Sequence, residues 1–138
     1  MVVFTRKALK RSHFIVYFDT LKYLAKGGRI GKAQGLLGSV LPIKPILNVK
    51  DGEMSPVTRV RSIAAGITYL NNYMNSFKNI EAVSIEHTTV IESADELARI
   101  FGSTHPKIPI LRSTVSPVLG VYGGPNALAV TILEAEGK

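Results

Sequence analysis

The sequence contains no cysteine. That excludes a disulfide framework, a zinc–thiolate site and a cysteine nucleophile, and it leaves the compartment open with a lean to the cytosol. Aromatic residues are only 7% of the chain and form no stacking motif of the kind nucleic-acid modules use. No apolar run approaches the roughly 18 residues needed to span a bilayer. The start, Met1-Val2-Val3-Phe4, is apolar first and basic afterwards, the reverse of a signal peptide. Asp and Glu total 10, mostly in caps, turns and the C-terminal tail, and no two read as a general acid and base. His13, His87 and His105 have no metal-ligand spacing, and Gly-x-Ser-x-Gly is absent. The expectation is a chain with no catalytic residues, no metal and no cofactor.

What is present supports a single folded unit. At 138 residues and 46% hydrophobic content, the chain is long enough and apolar enough to bury a core. Its net charge of +7 invites a nucleic-acid reading. The basic residues, however, are spread out, and the one dense cluster is Arg6, Lys7, Lys10 and Arg11. A solvated basic helix accounts for that cluster better than a phosphate-tracking arm. Residues 1–12 therefore read as a basic lead-in helix or linker with too few apolar positions to anchor itself, and residues 13–138 as the domain.

Residues 13–18 (HFIVYF) read as a buried strand. Asp19 or Thr20 is expected to cap a short helix whose apolar face is Leu21, Leu24 and Ala25, and Gly27-Gly28 should end it. A second helix is expected over 33–39. Pro42 and Pro45 force 41–49 into extended backbone. Lys50-Asp51-Gly52-Glu53 signals a two-residue type I′ hairpin, with the return strand at 54–61. Ser62 should cap the clearest helix, whose stripe is Ile63, Ile67, Leu70, Met74 and Phe77. Residues 80–87 read as a strand. Ser93-Ala94-Asp95-Glu96 reads as a capping box for a helix ending at Gly102. Strands are expected at 108–114 and 118–122, then a tight turn at 123–126. Residues 127–133 (ALAVTIL), apolar on both faces, should form a central strand. The fold class that follows is α/β: a two-layer structure with a mixed sheet of about six strands and helices packed on one face.

The stretch that organises the rest is DTLKYLAKGGRIGKAQGLLGSVLPIKPIL, residues 19–47. Two glycines deliver Arg29 into an apolar neighbourhood, a recipe for holding an anion with a greasy tail. The segment fails as a P-loop, because Lys26 stands where the first glycine belongs and Ala33 where the magnesium-holding hydroxyl belongs. Backbone N–H groups after Gly31 remain a local anion site, set against an ordinary helix–helix turn with an exposed arginine. Tyr122, ahead of Gly123-Gly124-Pro125-Asn126, offers a ring and a hydroxyl, or is a packing tyrosine beside a turn.

Residues 19–47 resemble the signature of the DegV family of bacterial fatty-acid-binding proteins. The hairpin at Asp51-Gly52-Glu53, Arg59 and Arg61, the Ile85-Glu86-His87 strand end and the closing SPVLGVYGGPNALAV segment agree with it, so the likeness covers about residues 14–133. The resemblance implies two α/β domains with a long-chain fatty acid held between them, and in some members delivery of that acid to a fatty-acid kinase for phospholipid synthesis. This chain resembles the C-terminal domain alone, and the N-terminal domain that supplies a serine and a threonine to the carboxylate has no counterpart here. Carried over, Arg29 and Tyr122 are the head-group residues, and Ile30, Ala33, Leu36 and Leu37 flank the acyl chain. Arg59 and Arg61 are the partner-docking positions. The family usually has histidine where Tyr122 stands, and its basic run after Arg61 is thinned here to Ser62-Ile63-Ala64-Ala65. The expectation is non-enzymatic, cytoplasmic fatty-acid binding. Two alternatives stay open: a structural or interaction domain that holds no lipid on its own, and a basic nucleic-acid-binding module.

Overall fold

The computed structural model describes residues 1–137. Its strands are β1 (Ser12–Tyr17), β2 (Lys44–Lys50), β3 (Glu53–Val60), β4 (Ile80–His87), β5 (Ile110–Thr114) and β6 (Leu128–Glu134). Its helices are α1 (Val2–Lys10), α2 (Lys22–Lys26), α3 (Ile63–Asn75), α4 (Ile91–Thr104) and α5 (Pro117–Gly123), with a 3-10 helix at Gly31–Leu36. The strands form one sheet in the order β3-β2-β1-β6-β4-β5. Only β4 and β5 pair in parallel, which requires the α4 crossover between them. The architecture is the expected α/β one: a mixed six-stranded sheet with its two long helices on one face.

Period-two alternation divides the apolar residues between the two faces. Ile15, Tyr17, Ile46, Val83, Ile85, Leu128, Val130 and Ile132 point to α3 and α4, where Ile67, Leu70, Met74, Leu97 and Phe101 complete the main core. On the other face Val16, Phe18, Leu47, Ala127 and Ala129 meet Leu21, Leu24, Ile30 and Ala33 from α2 and the 3-10 segment. The short helical pieces therefore lie opposite the long ones.

Several local readings agree in detail. β6 is central, flanked by β1 and β4. Asp51 (φ 54°) and Gly52 (φ 78°) both take the left-handed backbone that a type I′ turn demands, between the paired Lys50 and Glu53. Ser62 caps α3, its hydroxyl accepting from the Ala65 N–H at 3.2 Å. α1 buries none of its residues, as expected from its few apolar positions.

Other readings are corrected. Residues 118–122 are helical, not a strand: Pro117 stands at the first helical position, where its fixed φ and missing N–H suit a helix start, and opens α5. Ser93 is not a cap. α4 begins at Ile91, because Val90 packs on the core and sets the entry, and the Ala94 N–H already donates to the Val90 carbonyl at 3.1 Å. α4 also runs through Gly102 to Thr104. The helix expected over 33–39 is instead the 3-10 helix Gly31–Leu36, since a six-residue segment with glycines at both Gly31 and Gly35 has little helix propensity. The Ala33 N–H donates to the Ile30 carbonyl at 3.1 Å, the bond that closes the first 3-10 turn. Ahead of α2, the Thr20 hydroxyl accepts from the Lys22 N–H at 3.2 Å, whereas Asp19 is committed to Lys44 at 2.8 Å.

Candidate functional site

A cavity begins with the side-chain sizes on β6. Leu128, Val130 and Ile132 fill the α3–α4 side, while the alternate positions Ala127, Ala129 and Thr131 are small. Missing volume over a central strand leaves a slot of about 320 Å³ on the opposite face. Phe14, Val16 and Phe18 of β1 form one side of its floor, and Glu86 and Thr88 at the end of β4 form the other. Leu24 of α2, Met54 of β3 and Val115, Leu119 and Tyr122 in and before α5 wall it in. Apart from Glu86 and the threonines, the lining is apolar.

Leu24, Met54, Leu119 and Tyr122 also border a second hollow of about 410 Å³, which contains Gly28, Arg29, Gly31 and Glu53. Tyr122 thus stands between the slot and Arg29. The exposed Arg29 guanidinium lies 5.5 Å from the centre of the Tyr122 ring, a cation–π stack, and its Nη1 donates to the Gly27 carbonyl at 3.3 Å. Among the described residues no carboxylate lies within ion-pair distance of it. The stack depends on close packing between α2 and α5. A Cβ on Gly27 would overlap the Tyr122 ring, and one on Gly124 would overlap the Tyr23 ring, so each helix offers a glycine to the other's tyrosine. A cation therefore lies beside a largely apolar slot, with Tyr122 between them.

The other expected site residues lie elsewhere. Ile30 and Ala33 are buried in the packed cluster with Leu24 and Leu47 and do not line the slot. Leu36 and the exposed Leu37 border a separate open groove of about 550 Å³ with Asp19, Lys22, Lys26 and Lys44. Arg59 lies near the end of the edge strand β3, with Arg61 just beyond it; both are exposed and neither reaches the slot. The structure therefore brings Arg29 and Tyr122 together but does not set Ile30, Ala33, Leu36 and Leu37 along the cavity beside them. Phe14, Val16, Phe18, Met54, Ala129 and Thr131 were not singled out from sequence. The signal was present: residues 127–132 alternate small and large, as a strand does when one face is packed and the other is hollow.

Glu86 is the one acidic group in the slot lining. Burial pushes its carboxyl above the usual carboxylate range, against the opposing pull of the Ser84 hydroxyl and its own backbone N–H. Among the described residues no three His, Asp or Glu side chains gather as a metal site, and no helix is long and apolar enough to cross a membrane.

The family model described as "Uncharacterised protein, DegV family" matches residues 5–135. A DegV domain-containing protein of Staphylococcus aureus is 31% identical over 122 residues, covering 86% of this chain and 44% of the relative. A fatty-acid-binding DegV family protein of Streptococcus agalactiae superposes with a TM-score of 0.86 at 20% identity, over 98% of this chain and 49% of that one. The Fatty Acid Kinase (Fak) B3 protein of Streptococcus pneumoniae, solved loaded with linoleic acid, superposes with a TM-score of 0.85 at 13% identity, over 97% of this chain and 48% of that one. The chain spans about half the length of the relatives it matches. With its glycine-flanked arginine, its mixed sheet and a family match over nearly its whole length, the chain belongs to the DegV family.

Proposed function

We propose that this chain is the tail-holding half of a fatty-acid carrier that acts without catalysing a reaction. The observation that carries this reading is the adjacency of two features: a largely apolar slot over β6 and, across Tyr122 from it, an arginine with no carboxylate partner among the described residues. Burying an alkyl tail contributes about 0.8 kcal/mol per methylene, so the slot can supply most of the affinity and Arg29 the orientation. The description of the Streptococcus agalactiae protein as fatty acid binding and the linoleic acid in the Streptococcus pneumoniae structure are consistent with it. In this reading the acyl-chain contacts come from the slot residues Phe14, Val16, Phe18 and Ala129, with Ile30 and Ala33 supporting the wall from behind. A second domain completes the carboxylate site. Presentation to a fatty-acid kinase, with Arg59 and Arg61 as docking positions on the exposed β3 edge, is the finer form of the proposal. It assigns the work to the cytoplasm.

The test is native mass spectrometry of the purified chain, with solvent extraction, after incubation with stearic acid. A one-to-one complex supports the reading, and Arg29→Ala is expected to weaken it about tenfold without shifting the unfolding midpoint. Unchanged affinity removes Arg29 from the site. Self-association without lipid favours the alternative of a bare interaction domain, for which exposed Val118, Leu119 and Val121 on α5 are the motive.

A further inference from the structure

If the slot takes an alkyl tail, its floor contains a group that a plain alkyl tail cannot satisfy. Alternation along β4 puts Ser84, Glu86 and Thr88 on the slot side of the sheet, with Ser84 opposite Thr131 and Glu86 opposite Ala129. Two of the hydroxyls there are committed. Ser84 donates to Oε1 of Glu86, and the Thr88 hydroxyl accepts from the Ala127 N–H at 3.0 Å. Oε2 of Glu86 is shielded from water and has no hydrogen-bond partner among the described residues. A shielded oxygen left without a partner is destabilising, and a purely apolar tail laid over it leaves it unpaired.

The chemistry of the carboxyl narrows what could relieve it. Burial favours the protonated form, in which the free side of the carboxyl donates; ionised, it accepts. A keto group serves only the first state and an ammonium only the second. A hydroxyl donates and accepts, so it pairs with Glu86 in either state. Position narrows it further. Tyr122 borders both the slot and the Arg29 hollow, whereas Glu86 borders the slot alone. A head group at Arg29 therefore meets Glu86 with carbons that have passed Tyr122, not with those beside its carboxylate.

We propose that Glu86 selects fatty acids hydroxylated along the alkyl chain, away from the carboxylate, by pairing with that hydroxyl inside the slot. The inference rests on the fatty-acid reading above. The experiment measures affinities of the whole chain for stearic acid and for stearic acids hydroxylated at successive carbons along the chain, by displacement of a fluorescent fatty acid. At least one hydroxylated acid is expected to bind about tenfold tighter than stearic acid. Glu86→Leu is expected to abolish that preference, and Glu86→Gln, which still hydrogen-bonds, to retain most of it. Equal affinity for every acid in the unsubstituted chain overturns the inference whether or not the variants fold, and leaves the lipid reading standing. A preference that survives in folded Glu86→Leu overturns the assignment to Glu86. Uptake of no acid at all overturns the lipid reading, and this inference with it.

Discussion

Tyr17 and Gly66 show how finely single residues set the main core. Tyr17 is buried in β1, and a Cβ on Gly66 of α3 would lie 2.6 Å from its Cδ2. Gly66→Ala gains about 1 kcal/mol in helix propensity but overpacks a ring that has no room to move, at about 1–3 kcal/mol. A net loss of about 1 kcal/mol is expected in urea unfolding. No loss would show that the helix shifts freely on the sheet. The same ring titrates abnormally. Burial first, and the Asp19 charge second, push the Tyr17 phenol from 10.0 up to about 12. The unfolded chain releases this proton near pH 10 and the folded chain keeps it. The stability is therefore intact below pH 10 and is lost as pH rises towards about 12. Urea midpoints measured across that window should fall, and Tyr17→Phe should flatten this part of the fall.

At the scale of elements, the two long helices start by different means. Ser62 caps α3 through its side chain, whereas α4 starts where Val90 packs on the core, with Ser93 already inside its first turn. Ser62→Ala is expected to cost about 1 kcal/mol, the usual worth of such a cap. Ser93→Ala should change the unfolding midpoint by no more than a few tenths of a kcal/mol. Equal losses in the two variants would restore Ser93 as a cap. The β2–β3 hairpin is the third case. Gly52 has a φ of 78°, which alanine adopts only with strain, so Gly52→Ala should destabilise by about 1 kcal/mol.

At the scale of the whole molecule, the first helix and the residue that follows it differ in what they hold. α1 buries no residue, while Arg11 ties the start of the sheet together by donating to Glu81 at 3.0 Å and to the Glu134 backbone carbonyl, and by pairing with Glu136 at 3.6 Å. Deleting residues 1–9 is therefore expected to leave the thermal midpoint within about a degree, since no buried contact is lost. A large drop would place α1 against the body of the domain in solution. Arg11→Ala should lower the midpoint measurably, because it strips partners from two strands at once.

What could be read without coordinates was whatever neighbouring residues decide among themselves. Strand residues 80–87, the Asp51-Gly52 turn, the Ser62 cap, the central apolar strand and the α/β class all follow from period, turn chemistry and capping. Those preferences act within a few residues, and they agreed with the fold. The errors came where distant chain overrode local preference. Residues 118–122 look like a strand by composition, but Pro117 opens a helix there and that helix packs against α2. Ser93-Ala94-Asp95-Glu96 has the letters of a cap, but Val90 had already been drawn onto the core. The site divides the same way. Arg29 and Tyr122 could be named from their glycine-flanked motifs, but their meeting depends on two glycine–tyrosine contacts between α2 and α5. The slot depends on which face of β6 the small residues occupy once β1 and β4 are paired on either side. A cavity is the absence of atoms from several segments at one place, and only the tertiary structure brings those segments together.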